Sequence, residues 1–157
     1  MAPSLLFDVS NLDLSQEVYD AQAIEAVNPH RGVMRLLDGI LHVSEDRKEY
    51  VAYREVGQDE FWVPGHIPGR PIFPGVLMVE AAAQLASFAT LHKLDVKSFM
   101  GFAGIDNVRF RGQVKPGDRL LILGQEVEDR PRRSIYRTQG LVDGNLTFEA
   151  VIRGMPM

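Results

Sequence analysis

Residues Gly65–Gln84 read GHIPGRPIFPGVLMVEAAAQ. Pro68, Gly69, Pro71, Pro74 and Gly75 crowd the first half; Val76, Leu77, Met78, Val79 and a run of alanines fill the second. Proline fixes φ and removes a donor, so the first half is a stiff loop and Pro74–Gly75 is a natural helix opening. The helix predicted from there runs from Gly75 to Leu91. Its polar residues are Glu80, Gln84, Ser87 and Thr90. At about 100° per residue the first three share one narrow stripe. A helix apolar on its remaining sides is buried on most sides, and Ala81, Ala82, Ala83 and Ala86 let a sheet come close.

Strand signals flank this helix. Met34–Val43 and Glu49–Val56 read as strands around the polar turn Ser44–Lys48. Downstream, Phe99–Phe110, Leu120–Val127, Ser134–Val142 and Leu146–Ile152 read the same way. The segments Val114–Asp118, Asp129–Arg133 and Asp143–Gly144 separate them as turns. Lys93–Ser98 is expected to leave the helix. Ser15–Val27 has helical spacing, with Ser15 as its N-cap and Pro29 as its stop. Residues 1–14 form an arm without a period. The expected fold is α+β: a long antiparallel sheet of about six strands wrapped around a central apolar helix, with one short helix besides.

The 157 residues have the length of one domain, 1–157. The absence of cysteine excludes disulfides and thiolate metal sites and is compatible with a cytoplasmic location. A net charge of −4 and a pI near 5.5 argue against bulk nucleic-acid binding. Met1–Phe7 has the features of no signal peptide, and Gly75–Leu91 is too short and too interrupted to span a bilayer.

Three groups in the quoted stretch carry chemistry. Taken alone, Glu80 reads equally well as a carboxylate near a helix N-terminus, and His66 as a turn histidine bonded to backbone. Together with the rigid loop they offer more. A carboxylate on an apolar helix tends toward a raised pKa and so toward proton donation. The first N–H groups of the helix, at Gly75, form an oxyanion site. An imidazole, an oxyanion site and a buried carboxyl group are parts for proton abstraction next to a carbonyl.

The stretch resembles the FabZ-type (3R)-hydroxyacyl-[acyl carrier protein] dehydratases of the hotdog fold. The resemblance rests on Gly65-His66-Ile67-Pro68-Gly69, Pro71, Pro74-Gly75-Val76-Leu77, Glu80-Ala81 and Ala83-Gln84. It is extended by Asn28-Pro29-His30-Arg31 with Leu36-Leu37-Asp38, by Phe102-Ala103-Gly104-Ile105-Asp106 with Arg109-Phe110, and by Val114 with Pro116-Gly117-Asp118. These blocks run in order from about Asn28 to the C-terminus. Ile67 stands where the family usually has phenylalanine, Gly32-Val33-Met34 where it has Tyr-Pro-Phe, and Gly39 where arginine is common. The arm before Ser15 is longer than the family pattern. Acyl chain length, and bulk fatty-acid synthesis as against a specialised lipid or polyketide pathway, are therefore open.

The resemblance implies a lyase that dehydrates (3R)-3-hydroxyacyl thioesters on acyl carrier protein to trans-2-enoyl thioesters, with no cofactor and no metal. It implies a homodimer, and a trimer of dimers, in which the histidine of one subunit faces the glutamate of the other. His66 is then the base, Gly75 the oxyanion donor and Glu80 the acid. Gln84 either orients Glu80 or is a structural amide, and Ile67 and Pro74 line the substrate. His30 reads as structural, fixing the segment between helix and strand. Arg109, Arg111, Lys115 and Arg119 form either a landing place for the acidic carrier or an ordinary solvated strand surface. The rival readings are a hotdog acyl thioesterase and a non-catalytic acyl-chain or acyl-carrier binding module.

Overall fold

The computed structural model describes residues 3–94 and 97–157. The chain runs α1 (Ala21–Val27), a 3₁₀ turn (Gly32–Met34), β1 (Gly39–Val43), β2 (Glu49–Glu55), α2 (Gly75–Leu94), β3 (Met100–Phe110), β4 (Arg119–Arg130), β5 (Arg133–Val142) and β6 (Asn145–Pro156). The strands form one sheet in the order β1-β2-β4-β5-β6-β3, and every pairing is antiparallel. This is the expected architecture, and α2 packs chiefly against β4, β5 and β6.

The helix is buried as its composition requires. Met78, Val79, Ala81, Ala82, Leu85, Ala86, Phe88 and Ala89 all belong to the main core, with Tyr50, Leu120, Ile122, Tyr136, Phe148 and Ile152 facing them from the sheet. Gly124 marks a close approach: a Cβ there would stand 3.2 Å from Leu85. The sheet curves around the helix through register shifts in β1, β3, β4 and at Gly140/Leu141; such bulges bend a strand and increase its twist.

Several boundaries differ from the sequence expectation: β4 runs on to Arg130 and β6 to Pro156, and three further differences have a physical reason. Helix α1 begins at Ala21, and Asp20, not Ser15, caps it through the Ala23 N–H at 2.8 Å. Val18 and Tyr19 are drawn instead into extended pairing with Ile40, where β-branched and aromatic residues fit well. Ser15 binds the Asp13 carboxylate. Strand β1 begins at Gly39 rather than at Met34. The Met34 carbonyl and Leu36 N–H are taken by the Gln84 side chain, at 2.8 and 2.9 Å, in place of a neighbouring strand. Helix α2 continues through Lys93 and Leu94. Lys93 in its last turn reaches Glu126 and Asp129 on β4, and a cation there also suits the helix dipole. Asp95 and Val96, part of the expected exit, lie outside the described residues.

Asp143 and Gly144 close β5 to β6 with φ of 50° and 77°, as a type I′ turn requires at both central positions. The arm has a place of its own. Leu6, Phe7, Val9, Leu12 and Leu14 pack on a second apolar cluster of Leu41, Val51, Leu123 and Leu141. Gln139 ties the arm down, accepting from Leu6 N–H at 2.9 Å and donating to the Ser4 carbonyl at 3.0 Å. Among the described residues no helix is long and apolar enough to cross a membrane.

Candidate active site

The proline-rich loop is anchored by two buried rings, Trp62 and Phe73, whose centroids lie 5.3 Å apart. Between them the chain turns tightly. The His66 N–H donates to the Trp62 carbonyl at 2.7 Å, and the Phe73 N–H to the Val114 carbonyl at 2.7 Å. Ile67 holds φ at 58°, a left-handed conformation that is a genuine outlier for a β-branched residue. Strain of this kind persists where the surroundings over-determine the backbone. Here it aims His66.

The His66 ring is set by one contact: Nδ1 lies 2.7 Å from the Ile72 carbonyl oxygen. A carbonyl only accepts, so Nδ1 carries the proton. In the neutral imidazole Nε2 then has the free lone pair. Beside it α2 opens. The Pro74 carbonyl accepts from Leu77 and Met78, while the N–H groups of Gly75 and Val76 precede the first intrahelical bond. His66, Ile72, Pro74, Gly75, Val76 and Phe110 border one cleft of about 710 Å³ that opens to solvent. A Cβ at Gly75 would fall 2.7 Å from the Phe110 ring, so a side chain there requires that ring to move.

Glu80 faces elsewhere. With His30, Gln84, Met100, Gly101 and Phe102 it borders a second cleft of about 380 Å³. One chain therefore does not bring His66 and Glu80 into a common cavity. Gln84 is buried and uses its whole amide: Oε1 accepts from Leu36 N–H, and Nε2 donates to the Met34 carbonyl and, at 3.0 Å, to Glu80 Oε1. The Leu36 N–H leaves only one way round for that amide, so a donor faces Glu80. His30, read from the sequence as structural, has Nε2 3.4 Å from the same Glu80 oxygen. Burial pushes His30 below the ordinary histidine range; the Glu80 charge acts against this and Arg31 adds to it.

Of the substrate-lining expectations, Pro74 borders the His66 cleft and Gln84 the Glu80 cleft, while Ile67 is 47% exposed on the loop. Arg111 is engaged by Glu149. Arg119 is engaged by Glu55 and stacks over Tyr53 at 4.5 Å. Two of the four cations, Arg111 and Arg119, are thus paired with acidic neighbours on the protein's own surface. Sequence reasoning missed Asn28, which is buried, donates to the Gln84 carbonyl and accepts from Ser87 Oγ. The resemblance block Asn28-Pro29-His30-Arg31 carried the signal but gave Asn28 no role.

The two clefts stand at opposite ends of β3. Phe110, at its C-terminal end, borders the first, and Met100, Gly101 and Phe102, at its start, border the second. A long helix sheathed by an antiparallel sheet, with a histidine at the helix mouth and a carboxyl group on its second turn, is the arrangement of a hotdog-fold protein. The family model of the FabA-like domain matches residues 28–151. The 3-hydroxyacyl-[acyl-carrier-protein] dehydratase FabZ of Aromatoleum aromaticum is 43% identical over 78% of this chain and 86% of its own. That of Bacillus velezensis is 44% identical over 83% and 93%. The chain belongs to this FabZ family. Among solved structures, the dehydratase heterocomplex ApeI:P from Xenorhabdus doucetiae shares the fold, with a TM-score of 0.71 and 17% identity over 85% of this chain and 90% of that one.

Proposed function

We propose that the protein removes water from (3R)-3-hydroxyacyl thioesters carried on acyl carrier protein, giving trans-2-enoyl thioesters, and that two copies of the chain build each site. His66 Nε2 takes the proton from the carbon next to the thioester carbonyl. The electron pair moves onto the thioester oxygen, where the Gly75 N–H and the positive end of α2 receive the charge; one such donor typically contributes about 2.7–4 kcal/mol to the barrier. The pair then returns to form the double bond as the bond from carbon 3 to its hydroxyl breaks. Glu80 of the partner subunit gives that hydroxyl a proton, and it leaves as water.

The position of the two clefts on β3 supports this reading. β3 is an edge strand of 11 residues with Phe102, Ile105 and Phe110 exposed. A long uncovered apolar edge is a template for pairing. Antiparallel two-fold pairing of β3 with its copy sets the start of one strand against the end of the other. It thereby joins the Glu80 cleft of one subunit to the His66 cleft of the next.

The test is complementation. His66→Ala and Glu80→Gln proteins, each inactive alone, are unfolded together and refolded as a mixture. Mixed dimers contain one intact site, so dehydration activity returns. Continued inactivity of a mixture shown to contain mixed dimers would refute the shared site. Release of free thiol from a 3-hydroxyacyl thioester, in place of the enoyl product, would identify a thioesterase.

A further inference from the structure

Glu80 is held by more than the helix that carries it. Gln84 Nε2 donates to its Oε1 at 3.0 Å, and His30 Nε2 approaches the same oxygen to 3.4 Å. The contact is longer than a good N–H···O bond, and both side chains are about a quarter exposed. The segment bearing His30 is pinned. The Arg31 guanidinium donates to the carbonyls of Glu25, Asn28 and His30, each at 2.8 Å, and Asn28 is tied to α2 through the Gln84 carbonyl and Ser87. His30 Nδ1 is buried with no partner among the described residues. The whole polar reach of this imidazole is therefore spent on Glu80.

A carboxylate only accepts, so a neutral imidazole beside it keeps its single proton on the facing nitrogen. Burial, the largest influence on His30, favours that neutral form. Oε1 then faces two N–H groups, one hydrogen-bonded from Gln84 at 3.0 Å and one on His30 Nε2 at 3.4 Å, and an oxygen with donors around it is the poorer place for a proton. We propose that His30 is a positioning residue for the dehydration: with Gln84 it occupies Glu80 Oε1 and so directs the transferable proton to Oε2, turned toward the substrate. This rests on the reading of Glu80 as the acid, and His30 itself touches no reacting atom.

The test compares His30→Gln, whose amide can put an N–H where Nε2 stood, with His30→Asn, whose shorter amide cannot reach, and with His30→Leu. Expected is a fall in kcat of about tenfold or more in His30→Asn and His30→Leu, KM within about twofold, and recovery of most of the loss in His30→Gln. On a Glu80→Gln background His30→Leu should remove nothing further. Parental kcat in a folded His30→Leu protein, or equal losses in His30→Gln and His30→Asn, overturns the inference while leaving Glu80 as the acid. Full activity in Glu80→Gln overturns both. Should His30→Leu fail to fold, the Gln–Asn pair decides by itself.

Discussion

The His66 Nδ1–H donates to the Ile72 carbonyl at 2.7 Å, and that bond leaves the Nε2 lone pair as the one free to accept. The donor is fixed by a carbonyl inside the same loop, so the tautomer is set by local folding before any second chain arrives. His66→Ala should lower the hydration rate of crotonyl thioester by about 10²–10⁴-fold, with only a small fall in melting temperature, because the loop keeps its Trp62–Phe73 anchor. A rate within a few-fold of the parent would remove His66 from the mechanism.

Gly75→Ala tests the helix mouth. The new methyl group would meet the Phe110 ring at 2.7 Å, but Phe110 is half exposed and can swing aside. Stability should change little. Turnover should fall by about 10²-fold, since displacing positioned groups by as little as an ångström carries that cost. Parallel melting and steady-state measurements separate the two effects.

Ile67 sits at φ 58° with nearly half its surface exposed. Asparagine tolerates the left-handed region far better than a β-branched residue does. Ile67→Asn should therefore raise the unfolding free energy by about 1 kcal/mol, read as a higher denaturant midpoint at unchanged slope. Turnover against a ladder of acyl chain lengths would show in the same protein whether Ile67 also lines the substrate.

Removal of residues 1–14 should uncover Leu41, Val51, Leu123 and Leu141 on the outer face of the sheet. Each leucine left bare forfeits roughly 1.5–3 kcal/mol of burial. A melting temperature lower by several degrees and concentration-dependent light scattering are expected. Gln139→Ala, which removes the hydrogen bonds to Leu6 N–H and the Ser4 carbonyl but leaves the one from Gln125 to the Leu6 carbonyl, should show a milder form of both.

His30 supplies a pH dependence with a definite sign. Its folded pKa lies below the ordinary 6.5, so between the two values the unfolded chain binds more protons, and stability rises with pH across that window. Acidification from about pH 7 to about pH 5 should destabilise the parent more than His30→Gln, whose amide does not titrate. Glu80 faces His30 in both proteins and opposes the shift, and Arg31 reinforces it. Equal losses in the two proteins would contradict the partly buried neutral imidazole.

Much of the fold was legible because its signals are local. An apolar run broken only by a polar stripe is a buried helix wherever it occurs. Asp143–Gly144 makes a hairpin from its own backbone preferences. The stiff loop and the opening of α2 at Pro74–Gly75 were legible for the same reason, since proline and glycine carry their backbone preferences with them; His66 and Glu80 taken alone had structural readings as well.

Contacts between segments far apart in the chain were not legible. Ser15 was as good a cap as Asp20 until Val18 and Tyr19 found Ile40. Met34–Leu36 looked like strand until a helix amide 48 residues away from Leu36 took its N–H. His30 and Glu80 are fifty positions apart in sequence (80 minus 30), and neither carries a local mark of the other. Propensity and period are properties of neighbours along the chain. Which donor meets which acceptor depends on how the sheet closes around α2, and only the packed molecule contains that answer.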